Sequence, residues 1–381
     1  MIPPNVDVPD WHRATALNER IALLRAQLVE QNKDLPDSDR ARRWRAQSPF
    51  SDPALFEQRL RSDGLQETEW QRLVSEPEST VRERAGAPPW FVPGLVAAYQ
   101  EPSGVDVTDL LPSPEALNQR VRGASGLLAA VEPLLAAARS RLREGLRERM
   151  SASREVPFDP AVVERLWLQD LPADLLAMID RTLVLEMHVA RMQGALAGET
   201  PEERFASFVL RLRDPEVMLA IFREYPVLAR CLWNAVEQCV AFGLEFFGHL
   251  LSDWALIKAE YAHGEDPGEL VFLEGNAGDP HRGGRSVVLM RFANGMRLVY
   301  KPKSLSVDVH FQELIEWLNA RGLTPQLRSI RVIDRGAYGY IEHVDGATCG
   351  SEDEVKRFYR RQGRWCCSRT CSERRTFITR T

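Results

Sequence analysis

The chain has 381 residues, 44% of them apolar and 27% charged, with a formal net charge of −5. That is the composition of an ordinary globular protein with room for two or three domains, and a pI near 5.9 does not describe a dedicated nucleic-acid binder. The N-terminal stretch MIPPNVDVPDWHR has neither a basic n-region nor an apolar h-region, so no signal peptide is predicted. No run of about 18 apolar residues is found, so no membrane span is predicted.

Residues 1–112 mix helical patterns with proline-rich breaks. ATALNERIALLRAQLVEQ (14–31) repeats apolar residues at three- and four-residue steps, which predicts an amphipathic helix. DRARRWRAQ (39–47) is basic and reads as a solvated helix face. GAPPWFVPGL (86–95) reads as a turn-rich connector whose aromatics pack on a neighbour.

Residues 113–264 read almost wholly as helix, a bundle. Ser113 is a predicted N-cap with Glu115 close behind. Thr200, Pro201 and Glu203 spell a capping box with the favoured proline. His188 sits in an apolar helix with no partner at metal spacing and is read as a core or boundary histidine rather than a ligand. Cys231, Cys239 and Cys349 are an odd, sparse set. They read as buried small hydrophobes and as reduced thiols of a cytoplasmic protein.

At about residue 265 the hydrophobic period changes. ELVFLEG reads as a strand, and Ser286–Phe292 and Arg297–Lys301 as two more joined through Ala293-Asn294-Gly295, a hairpin signal. FQELIEWLNARG (311–322) reads as a helix closed by Gly322. QLRSIRVIDRGAYGYIEHV gives two further strands around Asp334-Arg335-Gly336. The predicted fold class is therefore α+β, a helical N-terminal region followed over 265–363 by a β-rich lobe.

The chemistry is expected in GDPHRGGRSVVLMRFANGMRLVYKPKS. A turn containing Gly278, Gly283 and Gly284 precedes the hairpin, and its second strand ends on Lys301. Glycines let backbone N–H groups approach phosphate oxygens, and a strand-borne lysine can neutralise them. Protein kinases use a glycine-rich lid, a lysine on the third strand and a glutamate on the next helix. Glu313, ahead of Glu316, is the candidate glutamate. A polar hairpin with a surface lysine would leave the same letters. YGYIEHVDG (338–346) would then lead towards a second lobe, with backbone groups around Glu342 and Val344 placed to meet an adenine, or else be an ordinary edge strand.

These stretches, with LWLQDLPADLLAMIDRTLVLEMHVARMQGALAGETPEERFASFVLRLRDPEVMLAIFREYPVLAR, resemble the dehydratase domain of class II lanthipeptide synthetases, the LanM enzymes. The resemblance runs from about residue 80 to 363. It implies an incomplete lobe of a lipid- or protein-kinase-like fold that uses ATP and Mg²⁺ to phosphorylate Ser and Thr of a precursor peptide, leader and core. The phosphate is then eliminated to give dehydroamino acids. Lys301 matches the family's ATP-phosphate lysine, and Asp279 and His281 match the polar pair of its glycine loop. The family's zinc belongs to a separate cyclase domain, so no zinc is expected here. The resemblance also implies a cytoplasmic enzyme with no nucleic-acid partner, and an association with an export transporter. The alternatives are a non-catalytic module that binds the precursor peptide and a helical scaffold with no ligand.

From Lys356 to Thr381 there are nine Lys or Arg and one acid, Glu373, together with Cys366, Cys367 and Cys371. The family's next stretch should carry a D-x-H-x-x-N catalytic loop and then acidic metal ligands; neither is written here. Codons for Arg364–Thr381 can be chosen so that skipping two bases reads VVLLSYVLGATDFHHEN, an apolar helix followed by that motif. Residues 364–381 are therefore read as a frameshifted tail, its cysteines not as zinc ligands, and the chain as an inactive, truncated form.

Overall fold

The computed structural model describes residues 10–26, 38–101, 103–112, 122–153, 155–275 and 282–363. Ser113, the end of the 14–31 segment, Gly278, Asp279, His281 and the tail from Arg364 lie outside the described residues. The helices are α1 (Leu17–Ala26), α2 (Asp39–Arg45), α3 (Pro53–Asp63), α4 (Glu67–Ser75), α5 (Glu78–Ala85), α6 (Phe91–Gln100), α7 (Glu132–Ser151), α8 (Pro160–Leu168), α9 (Leu171–Met192), α10 (Pro201–Arg211), α11 (Pro215–Glu224), α12 (Pro226–Tyr261) and α13 (Ser306–Ala320). The strands are β1 (Leu270–Glu274), β2 (Val288–Phe292), β3 (Arg297–Lys301), β4 (Val332–Asp334) and β5 (Gly339–Glu342). Helices followed by one small antiparallel sheet are an α+β arrangement.

Two compact units emerge, Met1–Leu142 with Leu168–Ala241, and Arg143–Trp167 with Phe242–Thr381. The division does not follow the linear boundaries at 112 and 264, because α7 and α12 are long enough to contribute to both units.

The first unit is helical. Thr200 Oγ1 accepts from the Glu203 N–H at 3.1 Å, while Glu203 Oε2 accepts from the N–H groups of Thr200 and Glu199 at 3.1 and 2.7 Å. The predicted capping box thus satisfies donors that a helix start leaves open. Asp214 caps α11 by accepting from the Glu216 N–H at 2.9 Å. The expected connector at 86–95 is half helix: α6 starts at Phe91 and buries that ring completely. A Cβ on Gly94 would come within 2.3 Å of the Trp233 ring, so α6 approaches α12 closely only because that residue is glycine. Ile21, Ala41, Phe56, Leu60, Trp70 and Leu73 form a separate small core among α1 to α4.

Two expectations are corrected. His188 lies on the exposed side of α9, because the apolar run it interrupts covers more of the helix than its neighbours can bury. Cys231 and Cys349 are exposed and Cys239 half-buried, so these thiols are not core hydrophobes. α12 is long and apolar enough, by length and composition, to cross a membrane, but it carries Arg230, Glu237, Glu245 and Asp253 and 56% of its most apolar 18 residues is buried inside the protein, as in a core helix.

The second unit packs the C-terminal half of α12 and α8 with the sheet. Trp167 meets Phe242, Phe246 and Phe247 with ring centroids 5.4 Å apart in each case. The sheet order is β1-β2-β3-β5-β4, antiparallel throughout. The Asn294-Gly295 turn forms as predicted: Gly295 has φ +88°, and Phe292 donates its N–H to the Met296 carbonyl at 2.9 Å. The predicted helix at 311–322 begins earlier, at Ser306.

Candidate functional site

Strand alternation gives the sheet two unlike faces. Val288, Met290, Phe292, Leu298, Tyr300 and Tyr340 are buried. Leu289, Val299 and Lys301, which alternate with them, are only half-buried.

The covered face carries a row of polar contacts spaced four residues apart along α12, the helical period that keeps side chains on one side. Glu245 accepts from Arg285 Nε at 2.9 and 3.0 Å and from Nη2 at 2.5 Å. His249 Nδ1 lies 2.9 Å from the Tyr300 hydroxyl, and its ring stacks on Tyr338 with centroids 3.5 Å apart. Asp253, 3% exposed, accepts from the Tyr338 and Tyr340 hydroxyls at 2.9 and 3.4 Å and faces Arg335 Nε at 3.1 Å. Burial lowers the His249 pKa, with smaller opposing effects of Glu245 and Asp253 and a further lowering by Arg285 and Arg335. The imidazole is therefore neutral at pH 7. Burial raises the Tyr300 and Tyr340 hydroxyls far above the ordinary tyrosine range, so both remain protonated donors. The sequence reading missed this row. Its signal was present as the i, i+4, i+8 spacing of Glu245, His249 and Asp253 inside an otherwise apolar helix.

Lys301 ends β3 on the opposite, half-open face. Across β3 and β5 it is in register with Gly339. A Cβ there would lie 2.3 Å from the Ile333 carbonyl oxygen and 2.5 Å from Leu305 Cδ1, so Leu305 occupies the space beside the lysine. Asp334 holds Leu305 by accepting its N–H at 2.8 Å. Lys301 forms no ion pair among the described residues. Glu313 instead contacts His310 Nδ1 at 3.0 Å, and both are largely exposed. The expected lysine–glutamate pair is thus not made here: the Glu313 side chain points to solvent, three residues along its own helix from the histidine that holds it.

Gly283 and Gly284 both take φ +74°, with Gly283 exposed. Consecutive left-handed glycines turn backbone N–H groups outward, as anion-binding turns require. Arg285, next in the chain, is tied to Glu245, and this contact raises its pKa further. Asp279 and His281 lie just before, outside the described residues. At the other end, Glu342 is held by Arg328 at 2.6 Å and by the Arg331 N–H at 3.2 Å. The Glu342 and His343 N–H groups are used by the Arg331 and Arg297 carbonyls at 3.2 Å each. The Val344 N–H has no hydrogen bond among the described residues, and Val344 is exposed. Of the two predicted adenine-facing positions, only Val344 keeps a backbone donor to offer. Among the described residues no three His, Cys, Asp or Glu side chains stand close enough to hold a metal ion.

Residues 225–373 match a domain of unknown function, DUF4135. Over 203 residues, 51% of this chain, the sequence is 26% identical to the lacticin 481/lactococcin biosynthesis protein LcnDR2 of Lactococcus lactis subsp. lactis. The match covers 22% of that relative, so the matched residues span less than a quarter of its length.

Proposed function

We propose that this chain, which belongs to the class II lanthipeptide synthetases, carries the nucleotide-handling lobe of a dehydratase acting on Ser and Thr of a precursor peptide. The observation that carries this reading is Lys301. It is a half-buried lysine at the end of the third strand, with no acidic partner among the described residues, on the face of the sheet that α12 leaves uncovered.

The order of parts supports the reading: a strand, a turn ending in two left-handed glycines, a hairpin ending on the lysine, a helix and two closing strands. A lysine so placed offsets phosphate charge, and the glycine N–H groups can cradle phosphate oxygens. The free Val344 N–H suits a purine edge. Asp279 and His281, through the family resemblance, add polar groups at the transferred phosphate. ATP, when bound, supplies the phosphoryl group. The Ser or Thr hydroxyl oxygen forms the new bond to phosphorus as the bond to the leaving ADP oxygen breaks. In the second reaction a base removes the Cα proton, the Cβ–O bond breaks and phosphate leaves, giving the dehydroamino acid. Mg²⁺, when bound with the nucleotide, would offset charge on the phosphates. The second reading is a non-catalytic module that binds the precursor peptide without turnover.

Titration calorimetry with ATP tests the first reading. The full chain should bind ATP, and Lys301→Ala should weaken binding by about tenfold or more, since a hydrogen bond to a charged group contributes about 1.5–3 kcal/mol. The melting temperature should not change. Equal affinity of Lys301→Ala and wild type would defeat the proposal, and phosphate transfer to a Ser/Thr precursor peptide would defeat the second reading.

A further inference from the structure

In the first unit, α12 begins at the wall of a cavity of about 590 Å³, a size that takes small ligands or a few residues of peptide. Tyr225, Pro226, Val227 and Leu228 form that part of the wall. The helix is 36 residues long and its first turn carries no acidic side chain. The Ala229 N–H is bonded back to the Tyr225 carbonyl at 3.1 Å, so the N–H groups of Val227 and Leu228 precede the intrahelical ladder. They carry the positive end of the helix dipole.

A second feature lines the same cavity. Arg20 lines the cavity and is 5% exposed. It donates from Nε to the Thr15 carbonyl at 3.1 Å and from Nη1 to the Leu73 carbonyl at 3.3 Å. Both partners are neutral. Among the described residues its Nη2 has no partner and no carboxylate lies within ion-pair distance. A buried guanidinium without a paired anion is costly. Three acids line the cavity beside Arg13, Arg20 and Arg40: Glu76 is held by both Nη atoms of Arg84, Glu78 faces Arg13 at 3.8 Å, and Glu224 is exposed.

We propose that this cavity is a carboxylate-binding site that receives an acidic side chain of a peptide segment, at Arg20 Nη2 and the start of α12. The identification of that peptide with the precursor rests on the function proposed above; the carboxylate site does not. A peptide is favoured over a free anion because Pro226 and Val227, with Pro77, place apolar surface beside the cationic groups, which a lone anion would leave uncovered.

Fluorescence anisotropy with the full chain tests this, using a fluorescein-labelled peptide of alternating leucine and glutamate and the same peptide with glutamine at each glutamate. The glutamine peptide should bind at least tenfold more weakly. Val227→Asp puts a negative charge on the wall at an exposed position where the helix dipole tolerates it. It should weaken the glutamate peptide at least tenfold with the melting temperature unchanged, and Arg20→Gln should do the same to binding. Equal binding of the two peptides, or glutamate-peptide affinity unaltered by Val227→Asp, overturns the site. Acetate binding as tightly as the glutamate peptide overturns the peptide as its ligand. No nucleotide is present, so a failure of ATP binding in the earlier titration leaves this outcome readable.

Discussion

Arg285 and Glu245 form a forked ion pair, with Nε 2.9 and 3.0 Å and Nη2 2.5 Å from the carboxylate oxygens. The arginine directly follows the two left-handed glycines, and the glutamate stands on α12. The pair therefore fastens the described end of the glycine turn to a helix whose other side is core. The two side chains are 43% and 28% exposed, so solvent screens the attraction. Glu245→Gln should cost about 1 kcal/mol or less, read as a lower urea midpoint with an unchanged slope. The difference from wild type should shrink in about 1 M salt, where the Debye length is near 3 Å.

Gly339→Ala should be more damaging than its size suggests. The added carbon would meet the Ile333 carbonyl oxygen at 2.3 Å and Leu305 at 2.5 Å. Backbone cannot yield as a side-chain tip can, so β4 or β5 must shift, at about 1–3 kcal/mol. A melting curve and ATP titration on the same sample would register both effects, because Lys301 is the residue in register with Gly339.

His249 and His12 predict how stability responds to acid. Both have pKa values lowered from 6.5, chiefly by burial, and neither ring nitrogen of His12 has a hydrogen-bond partner among the described residues. The unfolded chain therefore binds more protons than the folded one below the ordinary histidine pKa. Stability should be level above about pH 6.5 and fall as pH drops below it, with each such proton contributing up to about 1.4 kcal/mol per pH unit. Melting temperatures between about pH 7.5 and 5.5 should show that fall, and His249→Gln should reduce its slope. A His249→Gln profile parallel to wild type would remove His249 from this account.

The tail reading makes a prediction about nucleotides. If Arg364–Thr381 is frameshifted text, the coding DNA from codon 364, read two bases later, spells an apolar helix and D-x-H-x-x-N. Direct sequencing across that codon checks it: codons whose shifted frame does not contain the motif leave the cysteines and arginines of the tail as genuine residues.

The local structure of this chain was legible in its letters. The Thr200 box, the Asn294-Gly295 hairpin and the strand–helix–strand order after 265 follow from side chains that act on their own backbone within a few residues, so neighbours in sequence suffice to specify them. Lys301 could likewise be placed at the end of β3 by counting along a strand. What it faces could not: that Leu305 fills the space by Gly339, and that Glu313 does not reach the lysine, depends on how α13 returns to the sheet. The α12 row of Glu245, His249 and Asp253 looked like breaks in an apolar helix until Arg285, Tyr300 and Tyr338 were brought to it from 40 to 89 positions away in the chain. The Arg20 cavity has the same origin, since Arg20 and Val227 lie more than two hundred residues apart. Short-range hydrogen bonding and periodicity are written locally, whereas the pairing of buried charges is settled only when packing removes water from between distant segments.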